Sequence, residues 1–146
     1  MSAGAILRAA MLAAAVSGCA APCLFDETGT VTVEVAPDGN RRSAVAVDVV
    51  AAAEPALADR LAGLDAAQYF AARPQLIRDN PATLQVSGWE VAPGQFVGPE
   101  PVRFECGPAG LFVFASLRAP GAHRVRLESL GDMTVRIGPD AMEVAP

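Results

Sequence analysis

Apolar and polar residues alternate along most of this chain, and the interruptions locate its remaining elements. From Thr30 to Ala36, Val31, Val33 and Val35 fall on one side and Thr30, Thr32 and Glu34 on the other, the pattern of a half-buried strand. Residues 36–44, APDGNRRSA, are turn chemistry, with Pro37-Asp38-Gly39-Asn40 suited to positive φ. Val45, Val47 and Val49 then repeat the alternation. Two strands with such a loop predict a hairpin or a sandwich corner.

The period changes between residues 54 and 81. Glu54-Pro55 suits a helix start with Pro at its first position. Leu57, Leu61 and Leu64 keep helical spacing, while Gly63 and Asp65 predict a break and a new N-cap. A second short helix carries Tyr69 and Phe70, read as core packing, and Pro74 is expected to end or kink it. Strands return from residue 82. Leu84 and Val86 alternate, Trp89 and Val91 continue out of phase, and Gly88 at the slip suggests a bulge. Val102, Phe104 and Cys106 share a face, so Cys106 points inward if Phe104 does. Leu111-Phe112-Val113-Phe114 is apolar on both faces, which predicts a central strand covered by the helical insertion. HRVRLESL, DMTVRI and a short segment near Met142-Glu143-Val144 complete the set. Seven or eight strands with one helical insertion at about 54–80 predict a mainly β fold, an antiparallel β-sandwich, over residues 29–146.

Composition narrows the functional classes. A chain of 146 residues can bury a core without a metal, and with 5% aromatics that core is mostly Val and Leu. All eleven basic residues are arginine against sixteen acids, a net charge of −5 with no basic tract. Nucleic acid and anionic headgroups are therefore poor partners for the body of the domain. The lone His123 sits beside Arg124 at a turn-to-strand junction, a surface setting rather than that of a base. There is no GxSxG elbow and no phosphate-cradling glycine loop. No catalytic residue, cofactor or metal is assigned, and the chain is not expected to be an enzyme.

The first eighteen residues hold one cation, Arg8, and an apolar stretch from Ala9 to Val16, too short to cross a bilayer as a helix but proportioned as a signal-peptide core. Val16-Ser17-Gly18-Cys19 resembles the lipobox of bacterial lipoproteins. The resemblance implies cleavage after residue 18, acylation (palmitate among the chains) at Cys19, and a lipidated tether over 19–28. Ala20 after the cysteine implies sorting to the outer membrane, at its periplasmic face. With Cys19 acylated, Cys23 and Cys106 are left as a disulfide in an oxidising periplasm or as two unpaired thiols. Zinc lacks four convincing ligands.

The order of features resembles the type VI secretion lipoprotein family (TssJ). Asn40-Arg41-Arg42-Ser43-Ala44-Val45-Ala46-Val47 is similar to the family's Asn, Gly-Arg-x-Ser-Pro and apolar strand. Leu64-Asp65-Ala66-Ala67-Gln68-Tyr69-Phe70, followed by Leu76 and Asp79, is similar to its helix region, and Val91-Ala92-Pro93-Gly94 to its turn. Leu111–Leu117 resembles its later apolar strand and Thr134-Val135-Arg136-Ile137 its closing one. The first loop is short, Ala44 replaces a proline, Asp48 an arginine, and His123-Arg124 stands where Trp-Arg is usual. The resemblance implies a transthyretin-like sandwich that docks the periplasmic part of an inner-membrane secretion subunit. It carries partner contact over to Asp38, Gly39, Asn40, Arg41 and Arg42. The competing reading is a periplasmic ligand- or glycan-binding lipoprotein module, for which Trp89 and Tyr69 are the candidate aromatics.

Overall fold

The computed structural model describes residues 25–146, so the expected leader over 1–18, Cys19 and Cys23 lie outside the described residues. In chain order the elements are β1 (Glu27–Val35), a single turn α1 (Gly39–Arg42), β2 (Val45–Ala52), α2 (Pro55–Ala62), α3 (Ala66–Asp79), β3 (Leu84–Val91), β4 (Phe96–Phe104), β5 (Gly110–Ala115), β6 (Arg124–Leu127), β7 (Met133–Ile137) and β8 (Met142–Ala145). The strands form two four-stranded sheets, ordered β4-β1-β7-β8 and β3-β2-β5-β6. β1 and β2 lie in different sheets, so the loop between them is a sandwich corner. Strand β1 begins at Glu27, within the stretch expected to be tether. The sandwich is antiparallel except where β1 runs parallel to β7, Val33 opposite Val135.

The alternating valines do what their pattern predicts. Val31, Val33 and Val35 of β1 and Val45, Val47 and Val49 of β2 meet Val113, Val135 and Ile137 in a core between the sheets. The second sheet is buried on its other face as well, where Val50, Ala52, Phe112 and Phe114 pack against Leu57, Leu61, Tyr69 and Leu76 of the two helices. That cover explains why every residue of β5 is buried.

One expectation is corrected, and of the two outcomes expected for Pro74, a helix end or a kink, the end falls. There is no bulge at Gly88: β2 and β3 pair without a register shift from Val45↔Val91 to Ala52↔Leu84. Because this sheet has two covered faces, Leu84 and Val86 pack on the helices while Trp89 and Val91 turn to the inter-sheet core. The apparent slip is a change of face in a regular strand. The irregular strand is β4, where the pairing steps from Val31↔Glu100 to Val33↔Val97. The extra residue falls around Gly98, whose φ of +107° and lack of Cβ admit the Val31 carbonyl oxygen.

Helix α3 also runs through Pro74 to Asp79. Proline inside a helix costs ~3 kcal/mol. The last turn is nonetheless held by Leu76, 1% exposed in the helix–sheet core, and by Asn80, whose backbone N–H and side-chain Nδ2 both donate to the Leu76 carbonyl. At the other end the predicted start is present: Asp65 accepts from the Gln68 N–H, and the Gln68 side chain accepts from the Asp65 N–H.

Candidate functional site

The first corner loop has an unusual backbone. Asn40, Arg41 and Arg42 all have positive φ, 46°, 53° and 61°, so α1 is a left-handed turn of three consecutive non-glycine residues. Left-handed helical backbone costs roughly 1–2 kcal/mol per L-residue, and such a turn persists only where its surroundings over-determine it. Asn40 supplies that constraint. Its Nδ2 donates to the carbonyls of Ala44 (2.8 Å) and Ser116 (3.4 Å), its Oδ1 accepts from the Arg118 N–H (2.6 Å), and its own N–H donates to the Gly138 carbonyl (2.9 Å). One buried residue, through its side-chain amide and its main-chain N–H, therefore ties together the β1–β2, β5–β6 and β7–β8 loops.

Of the five residues assigned to partner contact, two are structural supports. Asn40 is 2% exposed. Gly39 is buried where a Cβ would stand 2.6 Å from Val35 Cγ1. Asp38, Arg41 and Arg42 face solvent. Arg41 pairs with Asp140 across the loop at 2.7 Å, both half-exposed, and a pair so placed adds little stability. It does fix the direction of the Arg41 side chain.

The same end of the molecule holds the connection between the helices. Ala66 N–H donates to the Ala122 carbonyl and Arg124 to the Leu64 carbonyl. Between the first turn of α3 and the β5–β6 loop lies an open groove of ≈ 510 Å³, lined by Ala67, Phe70, Leu117, Arg118, Pro120 and His123 among others. His123 is half-buried with Nε2 2.7 Å from the Ala119 carbonyl oxygen, a loop fastening. Among the described residues no group of three or more His, Cys, Asp or Glu is placed to hold a metal ion. None of their helices is long and apolar enough to cross a membrane.

Under the helices lies a second polar cluster that sequence reasoning missed. Asp48 stands on the face of β2 that alternation assigns to solvent, yet it is 2% exposed. Its Oδ2 accepts from the Tyr69 hydroxyl at 2.7 Å and lies 2.6 Å from Arg73 Nε, off the hydrogen-bond line, so that contact is ionic. Burial raises the Asp48 pKa against the opposing pull of Tyr69 and Arg73. Burial, with the neighbouring carboxylate, raises that of Tyr69. Tyr69 is core, stacked on Phe114 at 4.1 Å. Trp89 packs on the inter-sheet core. Neither offers the exposed aromatic face that glycan binding requires.

The opposite end carries the start of the chain. The Gly107 N–H donates to the Phe25 carbonyl at 2.8 Å, the Cys106 N–H to Asp26 Oδ1 at 3.4 Å, and Arg103 bonds to Asp26 Oδ2. The hydrogen bond from Arg103 lowers the Asp26 pKa, helped by the one from Cys106. Contrary to the alternation, Cys106 does not continue inward from Phe104. The strand ends at Phe104, and Cys106, at φ +63°, turns out to the surface. It is a bonded residue, not a free thiol.

No family model matches the sequence, and no curated protein does. Solved structures do match. The type VI secretion lipoprotein TssJ1 from Pseudomonas aeruginosa aligns with a TM-score of 0.55 at 12% identity, over 83% of this chain and 96% of that one. Serratia marcescens Lip, a membrane-bound component of the type VI secretion system, aligns at 0.56 and 10% identity, over 82% of this chain and 98% of that one. A chain of a type VI membrane complex aligns at 0.59 and 14% identity, again over 82% and 98%. At these identities the likeness is one of fold. This chain has the β-sandwich fold of the type VI secretion lipoproteins.

Proposed function

We propose that this chain is an outer-membrane lipoprotein, anchored through acyl chains on Cys19, that holds a type VI-like secretion membrane complex by docking the periplasmic part of an inner-membrane subunit. The observation that carries the reading is the polarity of the sandwich. Residues 25 and 26 are fastened beside Cys106 and Gly107 at one end of β1. The left-handed turn with Arg41 and Arg42 lies beyond the other end. Nine residues of strand at ~3.3 Å each separate the two by roughly 30 Å. An anchor at Cys19 therefore leaves Asp38, Arg41 and Arg42 facing away from the bilayer, where a periplasmic partner can reach them. Arginines on a rigid turn suit charge-assisted pairing with partner carboxylates.

Acyl chains contribute ~0.8 kcal/mol per buried CH₂, so several chains on one residue hold a protein stably. Phe25, 79% exposed at the anchored end, is placed to meet the headgroup layer. A bridge between Cys23 and Cys106 forms part of the proposal; the hydrogen bond between Phe25 and Gly107, which lie two and one positions after those cysteines in the chain, supports it.

Two experiments test it. Cys19→Ser should release the protein from the outer-membrane fraction with its leader retained or miscleaved. Arg41→Glu with Arg42→Glu should abolish co-purification with the inner-membrane subunit. Unchanged fractionation rejects the anchor, and unchanged co-purification rejects the contact.

A further inference from the structure

The docking reading names one loop; the geometry points to a composite surface and to the chemistry of what it holds. We infer that the β1–β2 turn and the groove between α3 and the β5–β6 loop form one platform, and that it receives an acidic segment of the partner carrying one apolar side chain. The inference rests on the docking proposal and extends it.

The first observation is mechanical. Asn40 Oδ1 accepts from the Arg118 N–H at 2.6 Å and Nδ2 from the same residue reaches the Ser116 carbonyl, so the turn and the groove rim move as one body. The second is electrostatic. Most of the described arginines have a guanidinium partner: Arg41, Arg73, Arg103 and Arg136 pair with carboxylates, Arg78 with Gln75, Arg124 with the Leu64 carbonyl and Arg126 with the Phe112 ring. Among the described residues the exceptions are Arg42, Arg60 and Arg118. Two of these three stand on the loops that Asn40 joins, and both are exposed. In a protein with sixteen acids and eleven bases, two unpaired guanidinium groups on one rigid platform favour an acidic partner. The third observation is the groove itself. Its ≈ 510 Å³ is flanked by half-buried Phe70 and Leu117 and by Pro120, a wall that suits an apolar side chain beside the carboxylates.

The test uses the full mature chain and the purified periplasmic domain of the inner-membrane subunit from the same bacterium, with affinity measured by calorimetry at low and moderate salt. Ala67 is exposed on α3 and lines the groove, so Ala67→Trp fills it without a charge change and without disturbing either core. Ala67→Trp and Arg118→Glu should each weaken binding at least tenfold. Arg60→Glu, an equal charge change on α2, should leave it unchanged. Raising salt should weaken wild-type binding more than that of Arg118→Glu. If Arg42→Glu weakens binding while Ala67→Trp and Arg118→Glu bind as wild type, the composite platform is wrong and docking by the turn alone stands. If the wild-type chain does not bind the domain, both readings fall. Circular dichroism and melting of each variant exclude misfolding as the cause of any loss.

Discussion

The carboxylate of Asp48 occupies the space that a side chain at position 88 would need. The two residues are register partners in β2 and β3, and a Cβ on Gly88 would stand 2.2 Å from Asp48 Oδ1. Glycine here makes room for a buried carboxylate, whose ionic partner Arg73 is partly exposed, and serves no turn or bulge. Gly88→Ala should therefore destabilise the domain by about 1–3 kcal/mol, the usual cost of overpacking. In an Asp48→Ala background the same change should cost far less. A double-mutant cycle by urea denaturation measures that coupling, and strict additivity would mean the carboxylate and position 88 do not compete for space.

The Asp48–Tyr69 pair predicts how stability depends on pH. In the folded state the Asp48 pKa is raised, first by burial. The native protein then binds a proton that the unfolded chain releases, so this group contributes stability below the ordinary carboxylate pKa and loses it as pH rises through the native value. Tyr69, also raised, acts with the same sign at the alkaline end: stability falls as pH climbs past the usual phenol value. Asp48→Asn should gain on wild type in melting temperature between pH 4 and pH 7. Tyr69→Phe should cost about 1.5–3 kcal/mol at neutral pH for the lost hydrogen bond to a charged group, and should remove part of the alkaline fall. A wild-type and Asp48→Asn difference that is flat with pH contradicts the assignment.

Asn40 has two duties that substitution can separate. Asn40→Ala removes the bonds to Ala44, Ser116 and Arg118 and places a Cβ residue without local side-chain bonds at φ 46°. Asn40→Gly removes the bonds but relaxes the backbone. The alanine variant should lose about 3 kcal/mol and the glycine variant about 1 kcal/mol less. Thermal melts rank the two, and equal losses would show that the left-handed backbone carries no strain.

These residues also mark where reading the sequence stops. The valine alternation of β1, β2 and β7 is legible because one side of each strand faces a single core. The insertion is legible because Asp65 and Gln68 write a capping box and Leu57 and Leu61 keep helical spacing. Asp48 is not legible, since a polar residue on the polar phase of a strand reads as solvated until a helix is known to cover it. Gly88 misleads for the same reason: in a sheet covered on both faces, a change of apolar phase needs no bulge. Within the corner loop the sequence marks a turn and its two arginines. That Gly39 and Asn40 face inward depends on Val35, Ser116, Arg118 and Gly138, which only the fold brings near.

Pro74 offers a gain of stability. It lies in the interior of α3, where it donates no backbone hydrogen bond to the preceding turn, and the helix persists because Leu76 is buried beyond it. Pro74→Ala supplies the missing N–H and removes the ring, at the expense of a more flexible unfolded chain, which offsets ~1 kcal/mol. The net should be a stabilisation of about 1–2 kcal/mol, visible as a rise in melting temperature of several degrees. A fall instead would mean that the proline ring fills a contact whose loss outweighs the recovered hydrogen bond.

The proposed bridge between Cys23 and Cys106 can be checked without reference to any partner. Cys106 leaves the end of β4 through a positive-φ turn and stands at the surface beside the residues that follow Cys23. Linking positions so far apart in the chain is worth roughly 4 kcal/mol in the chain-entropy model. Cys106→Ser should thus lower the melting temperature of protein isolated from the cell envelope by roughly 12 °C. The reductant dithiothreitol should lower that of the wild type by a similar amount and leave Cys106→Ser unmoved. Mass spectrometry of the non-reduced digest should find the peptides of Cys23 and Cys106 joined. A reductant-insensitive wild type, with both thiols open to alkylation, would reject the bridge and leave the hydrogen bonds of residues 25 and 26 as the fastening of that end.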